Sequence, residues 1–257
     1  MQHNAENKHW MITKSQVKYI QSLGQKKLRE EENAFVAEGP KIINELLENA
    51  SFELLGLYCT DAWKMEYPRL AGKTPPGKLH EITEADLQRI SFLTTPHQVL
   101  GVFKKPARTQ PFHLQSGISL MLDGLQDPGN MGTIIRIADW FGLRQLVCSP
   151  DCADAFAPKV VQGSMGSIAR VELYYTPLLP FIKENDGLRL YAATLGGQPL
   201  QTIGKLNEGM LVIGNESKGV SPEIIAAAYR QVTIPRPGSA ESLNAAVAAG
   251  IILSHIT

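Results

Sequence analysis

The sequence predicts an α/β protein in two parts, a small α/β module followed by a larger, mostly parallel one. Short apolar runs of strand length alternate with helical patterns along almost the whole chain. A Pro-containing, turn-rich stretch, Lys105 to Pro111, separates two such series. In the second series the strands run into Gly-, Pro- and Asn-rich turns, as strands of an open parallel sheet do where they meet a ligand.

The chain opens with a basic helical segment, residues 1–33. Ser15 to Glu32 reads as one polar helix, with Val17, Ile20, Leu23 and Leu28 at helical spacing. Six basic residues and no acidic one lie between Lys8 and Arg29, ahead of Glu30, Glu31 and Glu32. Such a stretch can follow a phosphate backbone. Residues 34–105 form the first α/β module. Its expected strands are 34–38, 52–59, 79–82 and 99–103, with helices over 40–48 and 60–67 and a third from the N-cap Thr83 to Ser91.

After a linker at 106–116, residues 117–257 carry expected strands at 118–123, 145–148, 169–173, 190–194, 210–213 and 232–234. A final helix spans 243–256.

Composition bounds the function. The chain has 257 residues, no net charge, and 44% hydrophobic residues, as soluble globular proteins do. No apolar run approaches the roughly 20 residues that span a bilayer, and the N-terminus lacks a secretion-signal layout. A cytoplasmic protein without a membrane partner is expected. Cys59, Cys148 and Cys152 have neither disulfide-framework nor zinc spacing, so no metal is expected. Residues 1–110 hold fifteen Lys and Arg against thirteen Asp and Glu, and 111–257 hold ten against twelve. The excess of positive charge is thus at the front.

Three segments carry candidate chemistry. In the first, Asp123 ends a strand, Asp127-Pro128-Gly129-Asn130 forms a turn with Asn130 at an expected helix cap, and Ile134, Ile135 and Ala138 face inward. Arg136 lies off that apolar stripe and can project toward the strand ends. In the second, an apolar strand runs into Gly214-Asn215-Glu216, leaving a carboxylate at the strand's end, and Ser221-Pro222-Glu223 starts a helix. In the third, Ile234-Pro235 leads through a crossing to Ser242-Leu243-Asn244, where Ser242 reads as the cap of a helix rich in Ala and Gly. A Rossmann Gly-x-Gly-x-x-Gly turn and a phosphate-loop pattern are both absent from the sequence.

These segments, in this order, resemble the TrmH/SpoU family of SPOUT RNA 2′-O-ribose methyltransferases. The matching residues are Asp127-Pro128-Gly129-Asn130 with Arg136, Gly214-Asn215-Glu216 with Gly219, and Ile234-Pro235 with Ser242-Leu243-Asn244. Lys26-Lys27-x-Arg29, Phe35 to Gly39 and Ser91 to Phe103 are similar to that family's substrate-binding domain. Gln162 departs from the family, where many relatives carry Arg.

The resemblance implies an L30e-like RNA-binding domain and a SPOUT domain with a deep trefoil knot, a rare topology. It implies a homodimer through the knotted domain and S-adenosylmethionine held by Thr194, Leu195, Gly196, Ile213, Gly214, Ile234 and Leu243. Catalytic roles fall to Arg136, Asn130, Glu216, Ser242 and Asn244, and RNA contacts to Lys26, Lys27 and Arg29. The implied substrate is 23S rRNA, with tRNA as the alternative. A non-catalytic RNA-binding homologue and an unrelated enzyme acting on a small nucleotide are the rival readings.

Overall fold

A computed structural model describes residues 12–107, 112, 117–185 and 187–257. Lys8 and most of the 106–116 linker lie outside the described residues. The chain divides into two compact units. One gathers the residues up to Ala107 with Phe156–Gln162, and the other holds the rest.

The first unit opens with two helices where the sequence suggested one, α1 (Lys14–Ser22) and α2 (Lys26–Glu31). Thr13 starts α1 with a capping box to Gln16, and the helix ends at Leu23, ahead of Gly24. Then follow β1 (Ala34–Glu38), α3 (Pro40–Glu48), β2 (Leu54–Cys59), α4 (Asp61–Glu66), α5 (Pro68–Lys73), β3 (Leu79–Glu81), α6 (Glu84–Ile90) and β4 (Val99–Lys104). The sheet order is β1-β4-β2-β3, antiparallel except for β2 with β3. Ile20 and Leu23 share a core with Val36, Leu87, Ile90 and Leu100. Residues 12–33 are therefore built into this unit rather than preceding it.

Arg29 corrects an expectation. It is only 2% exposed, and its guanidinium donates to the Leu23 carbonyl at 2.7 Å, so it holds the α1–α2 turn and is not available to RNA. Lys26 and Lys27 remain exposed. Glu38 is also buried, accepting from the Ser91 hydroxyl and the Phe92 amide at 2.8 Å. Burial pushes its carboxyl above the ordinary range, against the pull of these bonds and of His97.

The second unit contains β5 (Ile118–Asp123), α7 (Pro128–Trp140), β6 (Gln145–Cys148), β7 (Glu172–Tyr175), α9 (Leu178–Glu184), β8 (Leu190–Pro199), β9 (Gly209–Gly214), α10 (Pro222–Ala227), β10 (Arg230–Thr233) and α11 (Ala245–Ile256). Between β6 and β7 the sequence carries helix α8 (Pro158–Ser164), whose residues up to Gln162 belong to the first unit. All strands are parallel, in the order β10-β8-β9-β5-β6-β7. Leu178, Phe181 and Ile224 cover Met121, Val147, Leu190, Ala192, Met210 and Val212 on one face. Residues 120, 122, 211 and 213 face the other way by strand alternation, and α11 packs there on α7 and β9.

Two strands differ most from expectation, while β9 and β10 shift by one or two residues. The third begins at Glu172 because Ser167–Ala169 forms a 3-10 turn. β8 runs five residues beyond Thr194, and its pairing with β10 jumps from Ala192↔Gln231 to Gln198↔Val232. Residues 193–197 are thus extruded as a bulge. Gly197 is required there, since a Cβ would stand 2.6 Å from the Gln231 and Val232 backbone.

All three cysteines are buried thiols outside any disulfide. Among the described residues no helix is long and apolar enough to cross a membrane, and no cluster of three metal-ligating side chains occurs.

Candidate active site

Parallel order places the carboxyl ends of β10, β8, β9 and β5 side by side, and each delivers one candidate loop. The β5–α7 loop is fixed first. Gly124, at φ +67°, donates its amide to Ser149 Oγ at 2.8 Å and its carbonyl accepts from Asn215 Nδ2 at 2.7 Å. Helix α7 is capped by Asp127, whose carboxylate accepts from the Asn130 amide at 2.7 Å, with Pro128 at the first helical position. Asn130 is therefore not the cap. It lies one turn inside, 9% exposed, with its side chain free for other work.

That work is visible. Asn130 Nδ2 donates to Glu216 Oε1 at 2.9 Å, and Asn130 Oδ1 accepts from Asn244 Nδ2 at 2.7 Å. Asn244 Oδ1 accepts from the Ala246 and Val247 amides, making Asn244, not Ser242, the cap of α11. The α11 amides can only donate, so they fix which end of the Asn244 amide faces them. Asn244 then fixes Asn130, which presents an N–H to Glu216. One polar chain joins three loops, and the N-termini of α7 and α11 converge on it. Helix N-termini favour negative charge, here that of Glu216.

Asn215 holds the Glu216 loop. Its backbone pairs with Gly219 in both directions, at 3.0 and 2.9 Å, and its Oδ1 accepts from the Ser217 and Lys218 amides. Gly214 permits this closure, because a Cβ there would meet the Gly219 backbone at 2.1 Å. Asp123 ties the same loop's far end by accepting from the Ser221 amide at 2.7 Å. Asn215 and Asp123 thus have structural roles beyond those expected from sequence. An Asn before the site carboxylate and an Asp ending β5 were the available signals.

The remaining candidates are placed without being joined to this chain. Arg136 is exposed on α7 and Ser242 is exposed ahead of α11; neither makes a hydrogen bond or ion pair among the described residues. Glu216 accepts from Asn130 and makes no ion pair with Arg136 among the described residues.

Among the cofactor candidates, Thr194 Oγ1 donates to Gln231 Oε1 at 3.3 Å, and the Leu195 carbonyl accepts from Thr233 Oγ1 at 3.2 Å. Leu195 is 73% and Leu243 49% exposed, Ile234 is half-buried, and the space beside Gly196 is open. Ile213 is buried, so it and Gly214 can meet a ligand only through backbone. Exposed apolar side chains beside open space on neighbouring strand ends fit a nucleoside-like ligand. A cavity of about 500 Å³ lined by Leu200, Ile234, Pro235, Ile251, Ser254 and His255, among others, shares only Ile234 with this set, and we do not assign it to the cofactor.

Residues 117–254 match the SpoU rRNA Methylase family. The chain belongs to this family. Residues 14–101 match the MRM3-like substrate binding domain, which accounts for the first unit's strands up to β4.

Among SpoU methylases, the chain is 29% identical to the 23S rRNA (guanosine(2553)-2′-O)-methyltransferase RlmP of Bacillus subtilis, over 93% of this chain and 95% of that protein. A TrmH-family structure from Porphyromonas gingivalis superposes with a TM-score of 0.82 at 39% identity, covering 95% of this chain and 98% of that one. An AdoMet-bound rRNA methyltransferase from Sinorhizobium meliloti gives 0.82 at 32% identity, covering 95% and 94%.

Proposed function

We propose that this chain transfers a methyl group from S-adenosylmethionine to a ribose 2′-hydroxyl of 23S rRNA. The observation that carries the reading is the Glu216–Asn130–Asn244 chain at two converging helix N-termini, on the strand edge where an open α/β sheet binds ligands. The cofactor supplies a methyl group activated by a sulfonium.

The protein's task is to hold the 2′-oxygen in line with that methyl and to stabilise the oxygen as its proton passes to solvent water. Alignment alone can contribute about 7–11 kcal/mol. Arg136, exposed on α7 and without a partner among the described residues, clamps a phosphate beside the ribose and faces the developing negative charge. A guanidinium carries only N–H donors and no acceptor, so Arg136 acts here as a clamp. Ser242 lies near the 2′-hydroxyl when RNA is bound. Glu216, Asn130 and Asn244 keep the three loops in register, with one N–H of each amide left for the ribose. Leu195, Ile234 and Leu243 flank the cofactor, and the backbone at Thr194, Gly196, Ile213 and Gly214 meets its polar edge. Lys26 and Lys27 contact RNA.

The reading extends to a trefoil knot within 117–257 and to a homodimer in the cytoplasm. Val247 and Ile251 on α11 and Trp140 on α7 are exposed apolar residues on two helices that pack together, a surface suited to a second copy. 23S rRNA is preferred over tRNA because the Bacillus relative matched across both units is named for that substrate.

The test is transfer of tritiated methyl from S-adenosylmethionine to 23S rRNA and to bulk tRNA, followed by nucleoside analysis. A 2′-O-methylnucleoside from 23S rRNA is expected. Label confined to tRNA, or found on a base, would overturn the substrate or the reaction.

A further inference from the structure

We infer that Tyr229, Arg189 and Arg230 form a second RNA-contact surface, a fork for phosphodiester groups on the sheet edge opposite the methyl-transfer site. Tyr229 is 55% exposed, in the short connection between α10 and β10. The Arg230 guanidinium lies 5.2 Å and that of Arg189 5.6 Å from its ring centroid. The buried Tyr191 meets the same ring edge-on, at 6.1 Å and 82°. Tyr229 is thus held from within while it holds two cations at the surface.

Guanidiniums resting on an aromatic face keep their N–H edges free, and less conformational freedom is lost when they bind a planar or bidentate anion. Their charges are scarcely opposed. Arg230 has no ion pair among the described residues, and Arg189 meets Glu208 only at 3.7 Å, with both side chains more than half exposed. Such a contact contributes little and yields readily to a phosphate. This half of the chain has fewer basic than acidic residues, so two arginines gathered on one ring form a local exception.

Position supports RNA as the occupant. Arg230 opens β10 and Arg189 directly precedes β8, and the two strands are adjacent with Tyr191 opposite Arg230. The fork therefore sits at the amino ends of these strands, whereas Glu216 follows the carboxyl end of β9. At about 3.3 Å per residue the length of β9 separates the two edges by ~17 Å. A folded RNA placed with one ribose at Glu216 has flanking backbone to spare over that distance, whereas a mononucleotide-sized substrate does not.

The inference rests on the RNA-methyltransferase reading, and the experiment separates the two. The substrate is a 23S rRNA fragment that the full-length wild-type chain methylates; failure to find any such fragment would count against the parent reading. On that fragment, a filter-binding salt series compares wild type with Arg189→Gln/Arg230→Gln, Tyr229→Ala and Tyr229→Phe. Two lost phosphate contacts should flatten the log–log salt slope by about 1.4–1.8 units and raise KM for RNA. Affinity for S-adenosylmethionine should stay as in wild type. Tyr229→Ala should weaken RNA binding and Tyr229→Phe restore it, since the ring rather than the hydroxyl orients the cations. An unchanged slope and KM in the double variant, or equal loss of cofactor affinity, would overturn the inference.

Discussion

Asn244 does two things that a single substitution can separate. Its Oδ1 caps α11 by accepting from the Ala246 and Val247 amides, and its Nδ2 donates to Asn130 at 2.7 Å. Asn244→Asp keeps the acceptor and adds a negative charge at a helix N-terminus, which is favourable by about 0.3–1 kcal/mol. It removes the donor and sets a carboxylate oxygen against Asn130 Oδ1. Because Asn130 is almost fully buried, its unpaired oxygen costs about 1–3 kcal/mol. If that cost appears as lost alignment at the reacting centre, turnover falls about 5- to 150-fold, at 1.36 kcal/mol per tenfold.

Asn244→Ala loses the donor and also the cap, with a further destabilisation of about 0.5–2 kcal/mol. The assay is single-turnover methylation at saturating RNA and cofactor, alongside thermal melting of each variant. The expected pattern is Asp close to wild type in melting but slow in turnover, and Ala impaired in both. If Asp turned over at the wild-type rate while Ala did not, only the cap would matter and the polar chain would play no part in the reaction.

Arg136→Ala should abolish methyl transfer and leave cofactor affinity within a few-fold by calorimetric titration, because the side chain is exposed on α7, a helix that carries none of the cofactor candidates; normal turnover would remove it from the site. Changing Lys26 and Lys27 to Gln should flatten the salt dependence of RNA binding by about 1.4–1.8 units, whereas Arg29→Gln should lower the melting temperature instead, since Arg29 donates inside the fold. Glu38 titrates above its ordinary value, chiefly through burial, so its contribution to stability is complete below pH 4.5 and is lost as pH rises through the higher folded value. Melting curves of wild type and Glu38→Gln should therefore diverge in the variant's favour as pH increases from 4, and parallel curves would contradict the assignment.

Much of this protein was legible because its strands are apolar, short and separated by strong turn chemistry. Expected and observed bounds of β1, β5 and β6 coincide. Errors gathered where two residues of equal local merit compete. Ser242 and Asn244 are about equally good caps, and only the Asn130 contact decides between them. The cap at Asp127 was readable, since Pro128 fixes the first helical position, but Asn130 was more conspicuous. Arg29 could not be separated from Lys26 and Lys27 by spacing, because its burial depends on where α1 stops, and the break at Leu23–Gln25 looks like continuous helix in periodicity alone. The bulge in β8 was hidden for a similar reason: extended backbone that leaves its partner and rejoins it has the composition of a strand throughout.

The polar chain also bears on how activity arises during folding. Asn130 finds Glu216 86 residues away and Asn244 114 residues away. Contacts of such sequence separation form late, after the local helices and neighbouring strands have closed their loops. This polar chain is then among the last parts of the molecule to exist, and no fragment ending before Asn244 contains it. A nascent or partly refolded chain would hold native-like helix content while its three loops were still unlinked. Methyl transfer by such a population would measure completed molecules alone.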